Sequence, residues 1–440
     1  MLDSQTVTEP QSMSNRRFWL WIGGAAVAVV LGCWAYSGTM APYGTDVYSD
    51  CHYRTNGDDH HFRAVFWMID GHPPAEWQSS VVLRRILHPL LAYPFMKAFG
   101  FDFGGLLFNF IAHAAALIGL AIALRRYFDA RAAVIASWLF ATCPAYAYWG
   151  GLPFSYAIIV PFSVGCAIAL LWWNDRPSLV RTCITACVIG CSGLGYDLVA
   201  AFYSIAFLFL LAGKRRWLDI LPTLVLFALW TWVMARGIGA IYGFAANNNN
   251  TSAYPAIVRS WLDAPHRTTG WGTLLWGLPR VFAGNFFYSN AIFVPAVLLV
   301  ATALKLFKPR IRPLFGPVGL AILLSGLAMF LFLNAAPPYN DAWQLRGSWV
   351  PRFYQPIFPG ILIVAAATSV ALREDRLRYR IFFWSCIASI ALGVGALAGP
   401  FARFDYLYLK TNENFYQHWS LAKNETWFKK IGRRPYGVCG

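Results

Sequence analysis

Charge is scarce in this 440-residue chain: charged residues make up 13% of it, about half of the roughly 25% usual in a soluble domain. With 58% hydrophobic residues, that shortage excludes an ordinary soluble globular protein, which would have too little polar surface to cover so much apolar side chain. Other absences narrow the choice. No small-residue cleavage site follows the first apolar block, so that block reads as a retained span and not a removed signal. No repeat runs through the whole chain. The basic excess, +16 formally, lacks any nucleic-acid fold signature and reads as membrane topology and headgroup contact. Cys183, Cys187 and Cys191 recur every fourth residue without nearby His or acidic partners, so packing accounts for them better than a metal site. A disulfide between Cys51 and Cys439 has no spacing rule behind it.

What the chain has in abundance is long apolar blocks with the charges packed into short islands between them, the pattern of a chain solvated by lipid. Aromatic residues reach 17%, with Trp 20, and Trp149, Trp172, Trp173 and Trp217 stand at block ends, where interfacial belts form. The first block, Phe18 to Ser37, follows Arg16 and Arg17, which places the N-terminus in the cytoplasm. Further spans are expected at 104–124, 132–149, 156–173, 180–195, 198–213, 218–237, 291–307, 314–334, 357–372 and 381–400. The fold class is therefore an all-α polytopic membrane protein of about eleven transmembrane helices.

Alternating these spans puts every basic island inside: Arg125/Arg126/Arg131, Arg176/Arg181, Lys214/Arg215/Arg216, Lys305/Lys308/Arg310/Arg312 and Arg373/Arg376/Arg378/Arg380. One missed span would throw all later islands to the wrong side. Residues 180–213 are the point of choice, since the junction at 193–197 is short enough for one bent helix; two spans keep the charge pattern. The tail 401–440 then lies outside despite Lys429, Lys430, Arg433 and Arg434, and residues 1–400 form the transmembrane module.

Polar residues concentrate in three external segments, 38–103, 238–290 and 335–356. The first carries Asp46 and Asp50, then Asp58, Asp59, His60 and His61, and ends in Arg84, Arg85, His88, Pro89 and Pro94. The stretch 81–99 is apolar on one face, interrupted by two prolines and costly to bury with Arg84, Arg85 and His88, so one or two short interfacial helices are expected there. The third places Arg346, Arg352 and Tyr354 at the lipid surface before an apolar span, a setting suited to a phosphate at headgroup depth.

With these features the chain resembles the polytopic glycosyltransferases of the GT-C class, which use polyprenyl-phosphate-linked sugars on the external face. What matches is the cytoplasmic start, the long first loop with an early acidic pair, Arg85 to Pro89 as Arg-x-x-x-Pro, and Arg352 to Pro356 as Arg-Phe-Tyr-x-Pro. The resemblance implies that an acid of the first loop, Asp46 before Asp50, is the general base for the acceptor hydroxyl. It implies that Arg85, Arg346 and Arg352, with His88 and Tyr354, bind the donor and its departing phosphate. It also implies inversion at the anomeric carbon and a lipid-linked donor; sugar and acceptor are not named by it.

Plainer readings stand beside each of these. Asp46 after Thr45 reads equally as a helix cap or solvated acid. Arg346 and Arg352 read as snorkelling residues. Asp58 to His61 offer the ligand types for a divalent cation, but four adjacent side chains cannot converge on one ion, and a hydrated loop is the simpler reading. Asp197 reads as a helix end in water, and His113 as a hydrogen-bonded histidine within a span. Alternative functions are a flippase or transporter for a lipid-linked sugar, a non-catalytic assembly subunit and an O-antigen-ligase-like enzyme. Transporters concentrate polar groups in broken spans, whereas these spans are nearly free of them.

Overall fold

A computed structural model describes residues 13–39, 69, 85–151, 155–229, 293–306, 315–335 and 355–398. Every regular element among them is helical. In chain order these are α1 (Asn15–Thr39), α2 (Leu87–Phe99), α3 (Phe101–Tyr127), α4 (Ala130–Ala141), α5 (Pro144–Gly150), α6 (Ile159–Asp175), α7 (Leu179–Gly193) and α8 (Asp197–Gly213). The helical run α9 (Trp217–Leu229) precedes α10 (Phe293–Leu306), α11 (Pro317–Ala335), α12 (Phe358–Ala371) and α13 (Arg376–Ala398).

Three of these, over Asn15–Trp34, Phe103–Tyr127 and Arg376–Gly395, are long and apolar enough to cross a membrane unaided, and eight shorter apolar helices of 10–17 residues accompany them. Large apolar side chains face outward along them, among them Leu20, Val27 and Leu31 of α1 and Leu377 and Leu392 of α13. Such a surface is untenable in water and ordinary in lipid. The chain is an all-α polytopic membrane protein.

Local chemistry sets the helix ends. Asp129 accepts a hydrogen bond from the Ala132 backbone N–H at 2.9 Å and so caps α4, and Ser178 does the same for α7 from Arg181. Gly100, at φ +82°, turns the chain between α2 and α3, a conformation that carries a penalty for residues with a Cβ. The two helices then close tightly, since a Cβ on Gly104 would stand 2.2 Å from the Phe95 carbonyl oxygen.

The span expected at 132–149 departs from that outline. It is broken into α4 and α5 at Thr142 and Cys143, because Pro144 has no N–H to continue the ladder and instead opens the next helix. Residues 180–213 form two helices, α7 and α8, joined by Leu194, Gly195 and Tyr196. A Cβ on Gly195 would fall 1.7 Å from the Phe162 ring of α6, so the junction lies flush on that ring. The stretch expected as one or two short helices is a single helix, α2, which includes Pro94 and buries His88, Pro89, Ala92 and Met96. Its exposed side carries Leu90, Leu91 and Phe99 together with Lys97, so apolar side chains outnumber charged ones there.

At the centre lies α12, buried from Phe358 through Ser369 and packed against α4, α6, α10 and α11. Being apolar all round is what permits this. Tyr203 of α8 donates its hydroxyl to the Pro356 carbonyl at 2.9 Å, and Tyr146 of α5 sets its ring edge-on to Phe358.

Candidate functional site

The basic islands of different helices meet at one end of the bundle. Arg125 of α3 bonds Asn15, Arg373 pairs with Asp129, and Arg378 pairs with Asp375. Arg216 holds Asp219 at 2.5 Å and reaches the Pro177 carbonyl at 3.2 Å, while Asp219 also accepts from Thr182. Islands far apart in sequence are thus gathered on one face, as the charge pattern requires.

The opposite end carries a different set of residues. Asp197 opens α8 and Lys214 closes it, so the helix separates them by about 25 Å. There the Arg85 Nε donates to Asp197 Oδ1 at 2.9 Å, with the two side chains 16% and 22% exposed. The guanidinium carbon also lies 4.3 Å from the centroid of the Tyr196 ring, a cation–π contact. The Leu87 backbone N–H donates to the Leu194 carbonyl at 3.0 Å. Three contacts therefore fix the start of α2 against the α7–α8 junction. Asp197 is not the solvated helix end read from the sequence, because Arg85 supplies a charge partner that the sequence places 112 residues away.

At the second residue of α2, His88 is fully buried and its Nε2 donates to Asn109 Oδ1 at 2.9 Å. Burial pulls the imidazole from 6.5 down to about 4, with the Asn109 bond opposing and neighbouring His113 adding to the fall. The His88 ring also lies against Phe108. His113, one turn beyond Asn109 on α3, donates from Nε2 to the Ala157 carbonyl at 2.8 Å, as expected of a packed histidine. Asn109 was missed in the sequence. Its signal was present, since Asn109 and His113 stand four apart on one helical face of an otherwise apolar span.

Of the site residues inferred from sequence, Arg85 and His88 thus share one corner. Asp46, Asp50, Asp58, Asp59, His60, His61, Arg346, Arg352 and Tyr354 lie outside the described residues. Among the described residues no cluster of three His, Cys, Asp or Glu side chains could hold a metal ion. Cys183, Cys187 and Cys191 are free thiols on one face of α7.

No protein-family model matches the chain, and no curated protein matches its sequence. Among solved structures it is similar to the crystal structure of ArnT from Cupriavidus metallidurans bound to undecaprenyl phosphate. The TM-score is 0.50 at 14% identity, over 91% of this chain and 75% of that one. The oligosaccharyltransferase of Archaeoglobus fulgidus, crystallised with zinc and sulfate, matches at TM-score 0.40 and 19% identity, over 70% of this chain and 44% of that one. At 14% identity the likeness to ArnT is one of fold, shared over most of both chains.

Proposed function

We propose that this chain is a membrane glycosyltransferase that moves a sugar from a polyprenyl-phosphate donor to an acceptor on the external face of the inner membrane, with inversion. The observation that carries the reading is the fold shared across 91% of the chain with a protein crystallised with undecaprenyl phosphate. The arrangement of charge supports it, since a held arginine stands at the end of the bundle remote from the basic islands. In the topology that places those islands in the cytoplasm, with the N-terminus inside and the tail 401–440 outside, Arg85 faces the external side.

In this reading Asp46 takes the proton of the acceptor hydroxyl as it attacks the anomeric carbon, with Asp50 as the second candidate. Arg85, Arg346 and Arg352, with Tyr354, hold the phosphate in the donor and receive its growing charge as it leaves. The bond from the anomeric carbon to the phosphate oxygen breaks while the bond to the acceptor oxygen forms, and the phosphate departs as an anion. His88, buried and bonded to Asn109, serves by fixing α2. A divalent cation, if the reaction uses one, would draw on Asp58, Asp59, His60 and His61 together with Asp46 or Asp50.

Sugar transfer from a polyprenyl-phosphate donor by the purified protein is the test. Asp46→Asn should lower the rate by about 10²–10⁴ with little change in donor binding, because it removes proton acceptance and keeps size. Arg352→Ala should weaken donor affinity as well as rate. Transfer that survives both Asp46→Asn and Asp50→Asn would refute the base assignment.

A further inference from the structure

The faces on which α1 and α4 meet carry the same order of side chains. On α1, Arg17, Trp21 and Gly24 fall four and three residues apart and share one stripe, and on α4 Arg131 and Trp138 stand two turns apart on one stripe. The stripes touch at the tryptophans. A Cβ on Gly24 would lie 3.4 Å from the Trp138 ring, and the Trp21 and Trp138 rings meet edge-on with centroids 6.1 Å apart.

Both helices start from the basic end of the bundle, where Asn15 bonds Arg125 and Asp129 pairs with Arg373, so they run the same way. Arg17 stands seven residues before Gly24, and Arg131 seven before Trp138, which sets the two arginines at one level, about 10 Å from the contact towards the basic end. Both are exposed. Two guanidinium groups on long side chains can there take one phosphate between them, each offering a planar fork of donors. Arg125, on the other flank of α1, is engaged in packing instead, bonded to Asn15 and laid 4.4 Å over the centre of the Phe18 ring. Next to Arg17, the outward side of α1 presents Leu20, Gly23 and Val27, all exposed, and a Cβ on Gly23 would meet nothing within 4 Å. An open apolar strip therefore starts beside the arginines.

From this juxtaposition we propose that Arg17 and Arg131 together hold the phosphate of an anionic phospholipid at the basic end of the α1–α4 interface, with an acyl chain laid along Leu20, Gly23 and Val27. The site is at the opposite end of the bundle from Arg85 and stands apart from the transferase reading; it needs only the topology that puts the basic end among cytoplasmic headgroups. Basic pockets between membrane helices on that side suit anionic headgroups. Free phosphate would offer the arginines the same chemistry, but the apolar strip beside them favours a lipid.

The test uses the full chain in detergent and reads lipid binding by native mass spectrometry, with phosphatidylglycerol, phosphatidylcholine and inorganic phosphate as probes. Wild type should hold phosphatidylglycerol in preference to phosphatidylcholine, whose choline cation neutralises the headgroup, and inorganic phosphate should not displace it. Arg17→Gln and Arg131→Gln should each weaken phosphatidylglycerol binding about tenfold or more, as loss of a hydrogen bond to a charged group does. The double variant should lose less than the product of the two, because one phosphate is shared. Arg176→Gln removes the same charge at the same end of the bundle, between α6 and α7, and should leave binding unchanged. An equal loss in Arg176→Gln would mean diffuse attraction to the basic belt and would overturn the site. Phosphatidylcholine binding as tightly, or displacement by inorganic phosphate, would overturn the anionic lipid as its occupant. Independent losses in the double variant would show that the two arginines do not meet on one phosphate. Should either glutamine variant melt well below wild type, lysine at that position, which keeps the charge and loses the fork, replaces it; unchanged phosphatidylglycerol affinity in the lysine variant would equally overturn the site.

Discussion

Arg85 and Asp197 illustrate what a single pair does when it ties two distant segments. Both side chains are mostly buried, in a range where exposed pairs contribute about 0–1 kcal/mol and breaking fully buried ones costs about 3–5 kcal/mol. Asp197→Ala should therefore destabilise the protein by about 1–3 kcal/mol, measured as a lower melting temperature in detergent. Arg85→Met added to it should cost less than Arg85→Met alone, since the two variants share the Arg85–Asp197 bond while only Arg85→Met also removes the contact with Tyr196; additive losses would mean that the pair is not coupled. His88 makes a prediction in pH. Its imidazole titrates at about 4 in the folded chain and near 6.5 when unfolded, so the unfolded state binds the extra proton first. Stability should be intact above pH 6.5 and fall as pH drops from 6.5 towards 4. His88→Asn should flatten that part of the melting curve against pH, and an unchanged slope would mean that His88 is not the group responsible.

At the scale of helices, the α2–α3 hairpin depends on backbone contact. Gly104→Ala forces a Cβ into the Phe95 carbonyl and should cost about 1–3 kcal/mol, as overpacking does. Gly23→Ala, with nothing within 4 Å of the new Cβ, is the control and should not destabilise; equal melting points for the two variants would remove the close-packing account. This scale is also where the sequence was most legible. Long apolar runs bounded by arginines translate directly into helices because lipid leaves the backbone no other partner. The break between α4 and α5 was signalled by Pro144, whose effect is local, yet the surrounding hydropathy concealed it. The Arg85–Asp197 bond had no local signal at all: a pairing across 112 residues depends on how α2 and α8 pack. Leu90 and Leu91 on the outer side of α2 were likewise invisible as exposed residues, since apolar character alone does not say which side faces lipid.

For the molecule as a whole, the joining of Asn15 to Arg125, Asp129 to Arg373 and Arg216 to Pro177 makes one end of the bundle a basic belt. Orientation then follows from where that belt prefers to lie. Cysteines introduced at Asn248 and Asn340 should react with an impermeant thiol reagent applied from outside, and one at Lys214 should not. Labelling at Lys214 from outside intact cells would invert the whole arrangement, external chemistry included.

The burial of α12 carries a consequence for how the protein comes into being. A ribosome delivers helices to the membrane in order, and α12 is the last but one of the described helices, yet it fills the middle of the assembly against α4, α6, α10 and α11. Until residues 358–371 arrive, α4, α6, α10 and α11 lack the helix they pack against. Among the described helices the centre is thus filled late, by α12, with α13 following on the outside, and a chain released before α12 lacks the helix around which these others close.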